Sequence, residues 1–136
     1  MPEVWKGRSS INRQTIPRPR LAYYWIPVIA YGILIFYVSS LEIRIRQIPF
    51  PYYDKVFHLV EYGIFAWLWY RALRVSVGAR HHRWVGPAVF AVSLLFAGLD
   101  EMYQSIIPFR ASDFYDFLAD ALGAFLVMMI FILKER

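Results

Sequence analysis

Cysteine is absent from the 136 residues, which removes disulfides and thiolate chemistry from consideration. Charge is sparse as well: Asp, Glu, Lys and Arg make up 18% of the chain, against about a quarter in an ordinary soluble domain. Residues 84–99 and 121–133 carry no charge at all. There is no glycine-rich phosphate loop, no internal repeat, and no Ser beside a base that would activate it. With three histidines in all, and two of them adjacent at His81 and His82, metal-ligand spacings are scarce. Neighbouring histidines point apart on a helix, so that pair suggests no metal site.

Hydrophobic length fills the space left by these absences. Apolar residues are 59% of the chain and aromatics 19%, and the mean hydropathy is +0.40. The pattern predicts an all-α, four-helix transmembrane bundle with spans at about 21–41, 55–73, 84–107 and 113–133, preceded by a basic tail over residues 1–20. Short connections favour up-down topology. A basic start followed by an apolar run resembles a signal peptide, with Ser39 and Ser40 as small residues near its end. The run over 21–41 nevertheless exceeds the roughly 7–15 residues of a signal-peptide core, and an uncleaved first span is expected. Pro27 is expected in the early turns of that span, and the Ile48 to Tyr53 stretch, IPFPYY, suits the headgroup layer.

The net charge of +5 invites a nucleic-acid reading, but the cations flank apolar spans instead of lining a soluble face. No nucleic-acid partner is expected. Eleven Lys and Arg lie on the side of the two termini and the 71–83 loop, and four lie opposite at Arg44, Arg46, Lys55 and Arg110. Both termini are therefore expected in the cytoplasm, in a multi-pass protein of a bacterial inner membrane. Trp25, Trp67, Trp69 and Trp84 fall near one set of span ends, and Tyr52, Tyr53, Tyr103 and Tyr115 near the other.

Against that background the acids are unevenly distributed. Asp54, Glu61, Asp100, Glu101, Asp113, Asp116 and Asp120 all fall on the outer halves of spans two to four. Asp54, His58 and either Glu61 or Tyr62 share one face of span two, Gln104 follows Asp100 by one turn, and Asp113, Asp116, Asp120 and Gly123 form a stripe on span four. Gly123 permits close approach of a neighbouring helix. Ionisable groups at bilayer depth are costly and mark function by default, although they also serve to hydrogen-bond a bundle together. Asp54, Asp113 and Asp116 stand where they can simply cap helix starts. The expected pocket comprises Asp54, Lys55, His58, Glu61, Tyr62, Asp100, Glu101, Gln104, Arg110, Asp116 and Asp120.

The segments DKVFHLVEYGIFAWL (Asp54 to Leu68), DEMYQSIIPFR (Asp100 to Arg110) and DFYDFLADALG (Asp113 to Gly123) together resemble the VanZ-like family of small bacterial membrane proteins. Phe109 stands where a Gly commonly precedes the Arg, Tyr103 where His is frequent, and Val127 where a second small residue is often found. The resemblance implies four helices and association with tolerance of teicoplanin-type glycopeptide antibiotics. It implies no reaction.

Three readings follow. An outward-facing pocket binds an envelope lipid, a cell-wall precursor or a glycopeptide-type antibiotic, with no catalysis and no cofactor. Alternatively the chain is an accessory subunit whose helices pack against partner membrane subunits. In the third, His58 and Glu61, an H-x-x-E pair, hold a metal ion for an intramembrane enzyme.

Overall fold

The computed structural model describes residues 18–41, 52–108 and 112–134, with side chains from Leu21 onward. The basic tail before residue 18, the 42–51 connection with Arg44 and Arg46, and the pair Phe109 and Arg110 lie outside the described residues. Four α-helices are present: α1 (Arg18–Ser40), α2 (Tyr53–Ser76), α3 (Val85–Ser105) and α4 (Phe114–Lys134), with a short 3₁₀ turn at Ala79–Trp84 before α3. No strand occurs among the described residues.

Local chemistry accounts for the ends. α3 stops two residues before Ile107, whose α conformation is disfavoured by Pro108, and its last turn tightens through Ile106 N–H to Tyr103 O and Ile107 N–H to Gln104 O. α2 is entered through Tyr52 at φ 65°, the one left-handed non-glycine residue among those described. α1 begins three residues earlier than expected, so Pro27 sits in its interior and not in its opening turns. A bilayer helix tolerates this where neighbouring groups satisfy the freed carbonyl.

α1, α4 and the segment from the 3₁₀ turn through α3 are long and apolar enough to cross a membrane. α2, expected as a span at 55–73, does not join that set, because it carries Asp54, Lys55, His58, Glu61, Arg71 and Arg74. Packing compensates for its composition: α2 touches all three other helices and buries Tyr62, Phe65, Ala66, Leu68, Tyr70 and Ala72. The polar helix is the central one.

Side-chain contacts fix the directions. Trp25 near the start of α1 donates to Ser76 at the end of α2, whereas Ser39 at the end of α1 meets Gln104 at the end of α3. Lys55 at the start of α2 meets Asp116 at the start of α4, and Tyr70 stacks on Phe131 near the ends of both at 3.7 Å between ring centres. These contacts define an up-down bundle in which α2 and α4 run parallel and pack most closely of all.

Two apolar clusters occupy the interior. Val28, Ile35, Phe65, Leu68 and Ala97 join α1, α2 and α3, while Ala66, Tyr70, Val85, Val89 and Ala124 join α2, α3 and α4. Phe65 anchors the first, with its ring 4.8 Å from that of Phe96. Outside, Ile33, Leu95, Met102, Leu122 and Ile130 are exposed around the perimeter, as a lipid-facing surface requires. The basic groups Arg71, Arg74, Arg80, Arg83 and Lys134 gather at one end, and the acids at the other.

Candidate functional site

The acidic end is built on the parallel pair α2 and α4. Lys55 reaches across from the first turn of α2, and its ammonium donates to Asp113 Oδ2 and Asp116 Oδ1, each at 2.5 Å, with Asp54 Oδ2 at 3.1 Å. Three ammonium protons thus meet three carboxylates. Asp113 also accepts from the Tyr115 amide at 2.9 Å, so it caps the start of α4. The Lys55 hydrogen bond, assisted by that amide, holds Asp113 below its ordinary carboxylate range.

One turn deeper, His58 lies between two α4 carboxylates: Nδ1 is 3.0 Å from Asp120 Oδ1 and Nε2 is 3.8 Å from Asp116 Oδ2. Asp120 is completely enclosed. Both ring nitrogens therefore face acids on α4, which fixes the orientation of the imidazole.

α3 supplies the third side. Asp100 Oδ2 accepts from Ser39 Oγ at 2.9 Å and from Gln104 Nε2 at 3.1 Å, so α1 and α3 are joined by a buried polar clasp. Glu101 turns toward α4 instead, where its Oε2 accepts from Ser112 Oγ at 2.7 Å and from the Asp113 amide at 3.0 Å. That carboxylate stabilises the positive end of the α4 dipole. Tyr62 OH, Glu101 Oε1 and Asp120 Oδ2 are buried without a hydrogen-bond partner among the described residues. Such orphans are uncommon in folded proteins.

Between α1 and α2, roofed by Gln104 of α3, opens a cavity of about 370 Å³. Its polar lining is Ser39, Asp54, His58, Glu61 and Gln104, and its apolar lining includes Tyr31, Val38, Tyr53, Phe57, Val60 and Ile64. The volume falls in the range of small-molecule sites, and an apolar and aromatic lining with a few polar groups is the usual lining of such sites.

Of the residues expected in the pocket, Asp54, His58, Glu61 and Gln104 line this cavity. Lys55, Asp116 and Asp120 form the wall behind His58, and Tyr62 and Asp100 are buried among the helices. Glu101 is directed to the start of α4, and Arg110 lies outside the described residues. No three His, Asp or Glu among the described residues are spaced to hold a metal ion, and His58 faces α4 carboxylates instead of forming a ligand set with Glu61. Ser39 is the cavity-lining contact that sequence reasoning missed, having been noticed only as a small residue. Its signal was a hydroxyl in the last turn of an otherwise apolar span, at the same end of the bundle as the acids of α3. Tyr31 and Phe57 gave no signal, because aromatics line every helix of this chain.

No curated protein and no solved structure matches the chain. The family comparison is positive: the VanZ/LLP1 family matches residues 3–135, and with nearly the whole length covered the chain belongs to that family.

Proposed function

We propose that the protein is a binding protein of the bacterial inner membrane, both termini cytoplasmic, whose α1–α2 cavity receives the head of an envelope lipid, a cell-wall precursor or a glycopeptide-type antibiotic. The observation that carries this reading is the cavity itself, whose lining combines five polar side chains with three aromatic rings. Such a lining suits an amphiphile. The basic residues at the opposite end of the bundle favour an outward-facing mouth, and none of the lining residues is a Ser or His paired as a nucleophile with its base, which supports binding without conversion.

The test fills the space. In Val60→Trp/Ile64→Trp, two indoles enter the cavity from α2, and lipid tightly retained from a bacterial polar extract, counted by native mass spectrometry, is expected to fall at least tenfold with helicity unchanged. Equal retention by the variant and the parent protein overturns the reading.

A second observation favours an accessory-subunit role. An apolar groove of about 380 Å³ runs between α1 and α3 over Phe65 and Trp69 of α2, with Trp25, Ile29, Gly32 and Phe96 along it. A partner helix seated there is expected to co-purify stoichiometrically in mild detergent and to be lost in Gly32→Leu, where a side chain would strike Phe96, 3.3 Å from the position of a Cβ. Purification as a single chain under those conditions removes this alternative.

A further inference from the structure

We propose that Arg71 is the phosphate-binding residue of an anionic-phospholipid site in the leaflet at the basic end of the bundle, with an acyl chain lying in the groove between α2 and α4. This site is at the opposite end from the α1–α2 cavity and stands whether or not that cavity is filled.

Arg71 is held by rings and not by acids. Its guanidinium carbon lies 4.7 Å from the ring centre of Trp67, one turn earlier on α2, and 5.3 Å from that of Tyr24 on α1. Cation–π contacts position a planar, permanently charged group without consuming its hydrogen-bond donors. Among the described residues none accepts a hydrogen bond from Arg71 or forms an ion pair with it, and the side chain is half-buried. Its donors are therefore positioned and unspent. The neighbouring cations differ: Arg74 has a partner of its own, Arg80 is exposed, and Arg83 lies over the single ring of Trp84 at 5.5 Å. Neutralisation by acids is scarce at this end. Every described acid belongs to the other half of the bundle, and the sequence adds only Glu3 before α1 and Glu135 after α4, against eleven Lys and Arg on this side. A guanidinium fork matches two phosphate oxygens at once, and basic clusters at span ends attract anionic lipid.

Trp67 connects the head site to a place for the chain. It lines an apolar groove of about 330 Å³ between α2 and α4, together with Gly63, Ile64, Leu126 and Val127. Ile64, Trp67 and Arg71 follow at i, i+3 and i+7, which sets them on one face of α2. From Arg71 to Gly63 is roughly 12 Å along the helix, within the reach of one acyl chain. A phosphate at the span end continued by a polymethylene chain into the bilayer is the chemistry of a phospholipid, and a free anion has no use for the groove.

The probe is phosphatidylglycerol with dibrominated acyl chains, titrated into the full chain in neutral detergent. The readout is quenching of Trp67, isolated as the part of the tryptophan signal that is missing in Trp67→Phe. Arg71→Gln is expected to weaken the probe at least tenfold with helicity unchanged. Arg71→Lys keeps the charge but loses the planar fork, and is expected to weaken it at least threefold, so the assignment remains testable if the first variant folds poorly. Arg80→Gln removes one exposed charge from the same end and should change the affinity less than twofold. Parent-like affinity in both Arg71 variants overturns the proposal, as does a loss in Arg80→Gln equal to that in Arg71→Gln, which would mark a general field and not a site. Dibrominated phosphatidylcholine quenching Trp67 as tightly, or displacement of the probe by millimolar inorganic phosphate at constant ionic strength, would equally overturn it.

Discussion

Gly123→Ala is expected to be the most disruptive single methyl that can be added to this protein. A Cβ at that position would collide with the carbonyl oxygen of Leu59 and stand 3.0 Å from its carbon and 3.1 Å from the Gly63 nitrogen. All three atoms belong to the α2 backbone, so no side-chain rotation relieves the clash. Contact distances of about 3.5 Å are needed, and α2 and α4 must separate by roughly 1 Å to reach them. Separation loosens the whole seam, from the Lys55 and His58 contacts at one end to the Tyr70–Phe131 stack at the other. The expected loss is at or above the top of the ~1–3 kcal/mol typical of overpacking, read as a large fall in thermal midpoint in detergent. Two controls isolate the cause. Gly63→Ala puts its methyl 3.8 Å from the Gly123 oxygen, an ordinary contact, and Gly98→Ala meets nothing within 4 Å. The former should be near neutral, and the latter should gain about 0.5–1 kcal/mol from reduced backbone freedom. Were Gly123→Ala as stable as Gly98→Ala, α2 and α4 could not be this close.

That seam also shows what the sequence made legible. Helix number and boundaries follow from apolar runs longer than a bilayer is thick, and each predicted span agrees with its helix to within three residues at either end. Gly123 was readable as a close-approach site because a small residue in a stripe of acids has few other uses. The identity of its partner was not, since nothing in a one-dimensional pattern says that span four packs against span two more closely than against span three. The polar residues behaved similarly. Their common depth followed from counting turns, but their division of labour did not: Asp113 and Glu101 hold the start of α4, Asp116 and Asp120 hold Lys55 and His58, and Asp54 and Glu61 face the cavity. A carboxylate's role depends on which cation or amide the neighbouring helix presents, and that is set by rotation about helix axes. α2 was read as one span among equals, yet its charges require three apolar helices around it, an arrangement visible only once the packing is known.

Lys55→Met is expected to produce the second large effect, because it leaves Asp54, Asp113 and Asp116 facing one another with their shared cation removed. Stripping one partner from a buried pair costs about 3–5 kcal/mol. The Lys55–Asp116 contact approaches that class only on the Asp116 side, because the Lys55 side chain is itself 20% exposed and Asp54 and Asp113 are half exposed, so screening by water brings the cost below that range. Methionine keeps length and apolar stem, which confines the change to charge. Lys55→Met/Asp116→Asn should recover part of the loss by removing the most enclosed of the stranded acids, and thermal unfolding of the two variants against the parent checks this. Acidification supplies an independent reading. Asp113 is held below its ordinary value of 3.8, so its contribution is present above that pH and is lost as the pH falls through its lowered folded-state value. The parent protein should therefore lose stability below 3.8, while Lys55→Met, with repelling carboxylates to neutralise and no ion pair to lose, should be relatively stabilised by the same protons. The two stability profiles are expected to converge in acid. Parallel profiles would mean that Lys55 holds this end of the bundle through its stem alone and not through its charge.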